Sequence, residues 1–345
     1  KAVKIPVMVT GRLDPAQGEQ AIQEGKTDLI CIARSMLSDP ELPQKYAEGR
    51  PEDVMPCISC GYCNESIRAK SSVQCVVNPA LCFEKELAVT PVSKPKNVLV
   101  IGGGPAGMEA AKIAAMRGHK VTLYEQEKKL GGQLNLAILP PFKEPLKDLL
   151  HHLTSQMPKL GVKVELGKKA TSSVVKKLNP DAIIVATGAE PFLQPIPVRD
   201  SKPVVQAIDV LSGKAKVGER VVIVGGELVG CETAEYLAEK GTKVTVVRRG
   251  PDMATKVRPA ARTVLLERLN KKGVTLIPGV SSYDEINKDG LVLTRNGQKQ
   301  VISVDTVIIA AGAKPEQIDK IVQIMIEQKQ ISLDKAKEIL FNLDS

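Results

Sequence analysis

An α/β fold is predicted for this 345-residue chain by three observations. A strand, a glycine turn, a small-residue helix and a second strand run through NVLVIGGGPAGMEAAKIAAMRGHKVTLYE, starting at Asn97. Almost the same phrase returns from Arg220 as RVVIVGGELVGCETAEYLAEKGTKVTVVR, aligning without a gap from Gly102 to Gly225 and from Glu125 to Arg248. Two shorter strand–helix units fill residues 1–50, and a knot of cysteines, Cys57 to Cys75, stands between them and the first phrase. Continuously apolar strands alternating with helices are the mark of parallel sheets covered on both faces. The expected architecture is the last two units of a (β/α)8 barrel at 1–50, an iron–sulfur segment at 51–83 and a polar linker at 84–97. Two Rossmann-like dinucleotide-binding domains follow at 98–215 and 216–315, with an atypical helical tail at 316–345.

Each element has a local reason. IPVMVTG (5–11) is a short apolar strand, and Asp14-Pro15 supplies an N-cap followed by proline at the first helical position. Gly25 closes that helix. DLICIAR (28–34) reads as a second buried strand, and Asp39-Pro40 as the start of a helix ending near Gly49. Two such units cannot bury themselves, which is why they read as the end of a barrel. Leu146, Leu149, Leu150, Leu153 and Met157 mark an amphipathic helix, VKVEL a strand, and DAIIVATG (181–188) another buried strand. Beyond the second phrase come a helix over 258–272, a hairpin at Asn296-Gly297 and the strand DTVIIAAG (305–312). The last thirty residues read as two helices.

Composition sets limits. The chain is 43% hydrophobic and 25% charged, which excludes a wholly disordered or collagen-like protein. No apolar run approaches a membrane span and no signal-peptide layout opens the chain, so a soluble cytoplasmic protein is expected. Lys1 in place of Met points to a fragment or a processed product. With four Phe, five Tyr and no Trp, the core must be aliphatic. The net charge of +9 comes from scattered Lys and Arg without interleaved aromatics, which argues against nucleic acid and for nucleotide phosphates or a solvated surface. The oligomeric state is left open.

The chemistry lies in the motifs. Gly102-x-Gly104-x-x-Gly107 follows a strand and opens a helix, the context in which glycines permit a tight turn and let a pyrophosphate approach the backbone and the helix N-terminus. Glu125 ends the next strand, where an acid can grip ribose hydroxyls. Gly131-Gly132-Gln133 and Ala186-Thr187-Gly188 favour FAD as the ligand of this copy. The second copy keeps Gly225 and Gly230 but has Glu227 at the middle position. Arg248 and Arg249 replace the strand-end acid, and an arginine pair suits a 2′-phosphate, so NADPH is expected over NADH. The competing readings are that both arginines are merely exposed, or that Glu227 spoils the site.

Cys57-x-x-Cys60-x-x-Cys63 with Cys75 supplies four thiolates, three of them within seven residues, a layout that suits a [4Fe–4S] cubane better than zinc. Seven cysteines in a long chain without a secretory leader argue for such a site over disulfides. Cys31, Cys82 and Cys231 read as small buried residues, and His119, His151 and His152 as surface or helix-face residues. At the ends of the two barrel strands, Gly11-Arg12 and Arg34 fit an FMN phosphate in the place where such barrels bind one; arginines paired with rim carboxylates are the alternative.

Taken in order, these pieces resemble the 2,4-dienoyl-CoA reductase and NADH:flavin oxidoreductase group, the iron–sulfur branch of the old yellow enzyme family. The resemblance spans residues 1 to about 315 and is carried by IARSMLSDPEL, CISCGYCNES with QCVVNPA, VIGGGPAGMEAA with GGQL and IIVATG, and VIVGGELVGCETAEYLAE. It implies a route in which NAD(P)H reduces FAD, a [4Fe–4S] cluster passes electrons singly to FMN, and FMN reduces the C=C bond of an enoate or 2,4-dienoyl-CoA. Trimethylamine dehydrogenase shares the layout, so an amine dehydrogenase is the runner-up, and an inert electron-transfer module is a third reading. The barrel units that would hold the proton donor precede residue 1, so the isolated chain is not expected to reduce the substrate. After AAGAKP no Gly-Asp return to the FAD domain is found, which marks the tail as foreign to the family.

Overall fold

The computed structural model describes residues 3–200 and 202–315, which divide into two compact units. The two expected helices of 316–345 lie outside the described residues. The first unit comprises residues 1–131, 144–169 and 180–184. It opens with the parallel strand pair Met8–Thr10 and Leu29–Cys31 joined by the helix Pro15–Gln23. Asp14 caps that helix as expected. Its carboxylate accepts the Gln17 N–H at 2.8 Å and the Gln17 side chain answers from the Asp14 N–H at 3.3 Å, an arrangement worth about 1 kcal/mol.

One expectation about this segment is corrected. The strands are not buried: Met8 is 58% and Leu29 51% exposed, and Cys31 is exposed with them. The pair has no further strand beside it among the described residues; Val9 and Ile30 are half-buried, Ile30 against Gly18 of the helix, while the flanking residues face outward. The helix read from Asp39-Pro40 to near Gly49 is present as Leu42–Ala47, beginning two residues after Pro40. Arg34–Ser38 and Leu42–Ala47 are separate short helices with Asp39 between them. The Asp39 carboxylate is buried and already occupied, accepting the N–H groups of Glu41 (3.0 Å) and Met55 (2.8 Å) and the Lys45 ammonium (2.7 Å).

The rest of the first unit is a sheet in the order Lys163–Leu166, Lys120–Glu125, Asn97–Ile101, Ala182–Val185, its first three strands parallel. Val98 to Ile101 are all buried, as a strand covered on both faces requires. The helix Pro105–Met116 lies against the helix Glu144–Lys159, and the buried Ala111 and Ala114 admit the close approach. On the second helix Leu149, Leu153 and Met157 are buried as the spacing predicts, but so is His152. Its expected place on a helix face at the surface is therefore corrected. His119 is half-buried, its Nδ1 accepting the Lys96 N–H at 3.1 Å, and His151 is exposed.

Among the described residues, the second unit comprises 132–143, 170–179, 185–200 and 202–315. Its five-stranded parallel sheet runs Thr275–Ile277, Lys243–Val247, Arg220–Val224, Thr306–Ile309, Val204–Gln206. Side-chain alternation divides the central strand between two cores. Val221 and Ile223 join Cys231, Ala234, Leu265 and Leu269 on the helical side, while Val222 and Val224 join Ile286, Leu291 and Leu293 on the other. That other side is closed by an antiparallel sheet of Val280–Asn287, Gly290–Arg295 and Gln298–Ser303, whose last two strands turn at Asn296-Gly297. Cys231 is buried as expected, whereas Cys82, in left-handed backbone at φ +67°, is exposed. No helix of the described residues is long and apolar enough to cross a membrane.

Candidate functional site

The cysteine segment hangs from one short turn. Before Cys57, Met55 is tied through its N–H to Asp39 and through its carbonyl to the Ser38 hydroxyl at 3.1 Å. Beyond Cys75, the Asn78 side chain donates to the Leu37 carbonyl at 2.9 Å. Between these anchors, left-handed backbone at Ser59 (φ +52°) and Gly61 (φ +75°) curls the Cys-x-x-Cys-x-x-Cys run. Cys63 lies buried in the first turn of the helix Tyr62–Arg68. Ser66, also buried, donates to the Cys63 carbonyl (2.9 Å) and accepts the Gln74 N–H (3.1 Å), fastening that helix to the residue before Cys75. Burial raises the Cys75 thiol, with Cys60 and Cys57 adding to the rise, so these three thiols share a neighbourhood. No three potential ligands converge as a metal group among the described residues, and no cysteine is in a disulfide. Four free thiols in one tethered arc are nonetheless the donor set that iron–sulfur chemistry requires.

A cavity of about 340 Å³ opens beside this arc. Gly11, Arg12, Arg34, Tyr46, Cys57 and Ser59 line it, together with the carboxylates Asp14 and Asp148. The structure therefore brings both barrel-end arginines and the first cysteine to one hollow.

In the first glycine turn Gly102 takes φ +109°. The Cβ that Gly104 lacks would point into open space, leaving a face that a pyrophosphate can approach. Gly107 is buried in the first turn of the helix. Glu125 is buried and holds the turn shut, accepting the N–H groups of Gly103 at 2.7 Å and Glu127 at 2.8 Å. In the other unit, Gln133 donates through Nε2 to the Ala189 carbonyl at 2.6 Å, and the Gly132 carbonyl accepts the Asn135 N–H at 3.2 Å. Thr187 and Gly188 lead into the short strand Ala189–Pro191.

The second glycine turn is built alike and charged differently. Gly225 takes φ +124°, and a Cβ on Gly230 would lie 1.8 Å from the Gly225 carbonyl oxygen, so no larger residue fits there. Gly131 donates to the Gly103 carbonyl (2.8 Å) in the first copy, and Ala254 to the Gly226 carbonyl (2.7 Å) in the second. The repeat thus continues past the strands into the closing loops. Glu227 does not stand free over the turn: its carboxylate pairs with Arg248 and accepts from Thr255 and Lys256. Arg248 and Arg249 are not a free pair either, because Arg249 lies 5.3 Å over the Tyr283 ring. Sequence reasoning found the glycines, the strand-end residues and the cysteines. It missed Asp39, Ser66, Asn78 and Thr255, and only the first had a visible signal, a charged residue in the Ser-Asp-Pro of IARSMLSDPEL.

Two glycine turns on parallel sheets, a strand pair and a thiol arc together make a set of parts that can be compared with known families. Residues 96–342 match the pyridine nucleotide-disulphide oxidoreductase family and residues 1–53 the NADH:flavin oxidoreductase / NADH oxidase family. The chain belongs to the first of these families, and the two matches together put it in the NADH:flavin oxidoreductase group that resembles old yellow enzyme. The chain is 38% identical to an NADH oxidase of Thermoanaerobacter brockii (91% of this chain, 50% of the relative). It is likewise 38% identical to a cinnamate reductase of Clostridium sporogenes (90% and 47%). A 2-naphthoyl-CoA reductase in complex with 2-naphthoyl-CoA superposes with a TM-score of 0.86 at 34% identity, over 90% of this chain and 48% of that one. The chain spans about half the length of the curated relatives it matches.

Proposed function

We propose that this chain is the cluster-bearing and dinucleotide-binding portion of a reductase that draws electrons from a reduced nicotinamide nucleotide and passes them to the activated C=C bond of an enoate or enoyl thioester. The observation that carries the reading is the shared hollow in which Arg12, Arg34 and Cys57 meet, beside a tethered arc of four thiols. In this reading Gly102, Gly104, Gly107 and Glu125 form the turn that holds the FAD pyrophosphate and ribose. Gly11, Arg12 and Arg34 take the phosphate of FMN, and Cys57, Cys60, Cys63 and Cys75 hold a [4Fe–4S] cluster. Gly225 and Gly230 receive the nicotinamide nucleotide, with Arg248 and Arg249 at its adenosine end.

When bound, these groups supply hydride acceptance and one-electron transfer. The chain's own part is to bind and to hold still. Glu125 keeps the first turn closed, Arg12 and Arg34 offer guanidinium donors to a phosphate, and Asp39, Ser66 and Asn78 fix both flanks of the thiol arc. Seven unpaired cysteines suit the reducing cytoplasm, where we place the protein. Anaerobically purified protein is expected to carry about four iron atoms per chain with matching labile sulfide, together with FAD, and to reduce a dye with a nicotinamide nucleotide. Stoichiometric zinc without iron would overturn the cluster assignment, and failure to bind any flavin would overturn the rest.

A further inference from the structure

Between the two copies the acid has moved from the strand end to the middle of the turn, and an arginine takes its former place. The first copy has Gly104 at the middle of its turn and Glu125 at the strand end; the second has Glu227 in the turn and Arg248 at the strand end. The Glu227 carboxylate is held firmly. One oxygen accepts from Arg248 Nη2 and from the Thr255 hydroxyl at 2.8 Å, and the other accepts only the Lys256 N–H, at 3.1 Å. Arg248 is held as firmly. Its Nη2 also lies 2.9 Å from Thr255 Oγ1 and its Nη1 donates to the Asp252 carbonyl. It lies back across Gly226, where a Cβ would come 3.0 Å from the Arg248 Cβ and 2.3 Å from Met253 Sδ. Arg262 fixes the same loop by donating to the Met253 carbonyl at 2.7 Å.

This inference rests on reading residues 219–248 as the nicotinamide-nucleotide turn. The geometry points to Glu227 as the residue that selects NADH over NADPH, by accepting a hydroxyl of the adenosine ribose and by cancelling the charge of Arg248. The oxygen with a single N–H partner has lone-pair capacity left for a hydroxyl donor. A 2′-phosphate brought to the same place meets a carboxylate and an arginine whose charge and donors are already engaged, so the fork that would otherwise grip it is unavailable. Arg249, the neighbouring cation, lies 5.3 Å over the Tyr283 ring and does not form a fork with Arg248. The arginine pair that suggested NADPH from sequence is thus disarmed by the acid beside it.

The test measures binding of the two adenosine halves, ADP-ribose and 2′-phospho-ADP-ribose, to the flavin-loaded full chain by calorimetry, alongside flavin reduction by NADH and NADPH. ADP-ribose is expected to bind about tenfold tighter or better. Glu227→Gln keeps one of the two acceptor oxygens, for either the Thr255 hydroxyl or the Lys256 N–H, while freeing the Arg248 charge, so it should raise affinity for the 2′-phosphate about tenfold. Glu227→Gly should do the same and also weaken ADP-ribose, and Arg248→Ala should leave ADP-ribose preferred. Tighter binding of the 2′-phosphate by the unmodified protein, or a ratio unmoved by Glu227→Gln while either nucleotide still reduces the flavin, overturns the inference and leaves the nicotinamide reading intact. A protein that binds neither fragment and is reduced by neither nucleotide overturns both.

Discussion

Glu125 shows how much a single side chain can settle. Its two oxygens satisfy the N–H groups of Gly103 and Glu127, donors that would otherwise be left in a buried turn without a partner. Such a loss costs about 1–3 kcal/mol. Glu125→Ala is therefore expected to lower FAD occupancy by about tenfold or more at limiting flavin, read as the flavin-to-protein absorbance ratio. Glu125→Gln, which retains one acceptor, should lose less. Cys75→Ser should remove most of the iron while leaving the flavin ratio near normal, a separation that metal analysis and visible absorbance test together. At this scale the sequence was informative wherever a residue type answers a local demand. Glycine at φ +109° and +124° is such a case, and so is the acid at a strand end. It marked Glu227 as out of pattern but was silent about what holds that carboxylate, because Thr255 and Lys256 lie twenty-eight and twenty-nine residues away in a loop with no periodic signal.

Among the elements, the short turn Leu37–Asp39 matters beyond its length, since it holds the chain on both sides of the thiol arc. Replacing Asp39 by Ala would strand the half-buried Lys45 ammonium and two backbone N–H groups. A buried pair broken from one side costs about 3–5 kcal/mol; Lys45 keeps Glu41 within 3.5 Å, so about 2–3 kcal/mol is expected here. Urea unfolding followed by far-ultraviolet dichroism measures it, and iron content should fall in the same variant. The helices and strands around this turn were largely legible. Asp14-Pro15 and Gly25 bracket a helix through capping and chain reversal, and the alternation of Val221 to Val224 between two cores follows from strand geometry. Asp39-Pro40 marked the helix Leu42–Ala47 to within two residues, and what it did not reveal is that the Asp39 carboxylate also holds the Met55 N–H. Cys31 and Cys82 misled because an apolar residue type predicts burial only where a neighbour covers it.

Across the molecule, the described charges make the first unit sensitive to acid. His152 is buried with no hydrogen-bond partner for Nδ1, and burial first, then Lys112 and Lys45, lowers its pKa to about 4; Asp39 and Asp53 pull the other way. The unfolded chain takes up this proton near pH 6.5 and the folded one only near 4. Stability is therefore full above pH 6.5 and falls as pH drops toward 4, by on the order of 3 kcal/mol at most. Asp53, bonded to the Lys159 ammonium at 2.6 Å, is held well below the usual carboxylate range. Its contribution is present above the ordinary carboxylate pKa and is lost only in stronger acid. Thermal melts between pH 4 and 8 should show a decline that His152→Leu flattens; an unchanged slope would mean that His152 is not the group taking up the proton.

The strand pair at the start of the first unit carries a liability of its own. A ribbon of two strands with apolar side chains in water presents bare rows of N–H and C=O groups, and such rows recruit any extended segment that meets them. Preparations of this chain should consequently sediment as mixtures whose mean mass climbs with concentration. Setting a lysine at Met8 or Leu29 ought to blunt that stickiness without touching either nucleotide turn. Crowding at the bench, more than loss of any cofactor, would then limit how long the isolated polypeptide stays usable.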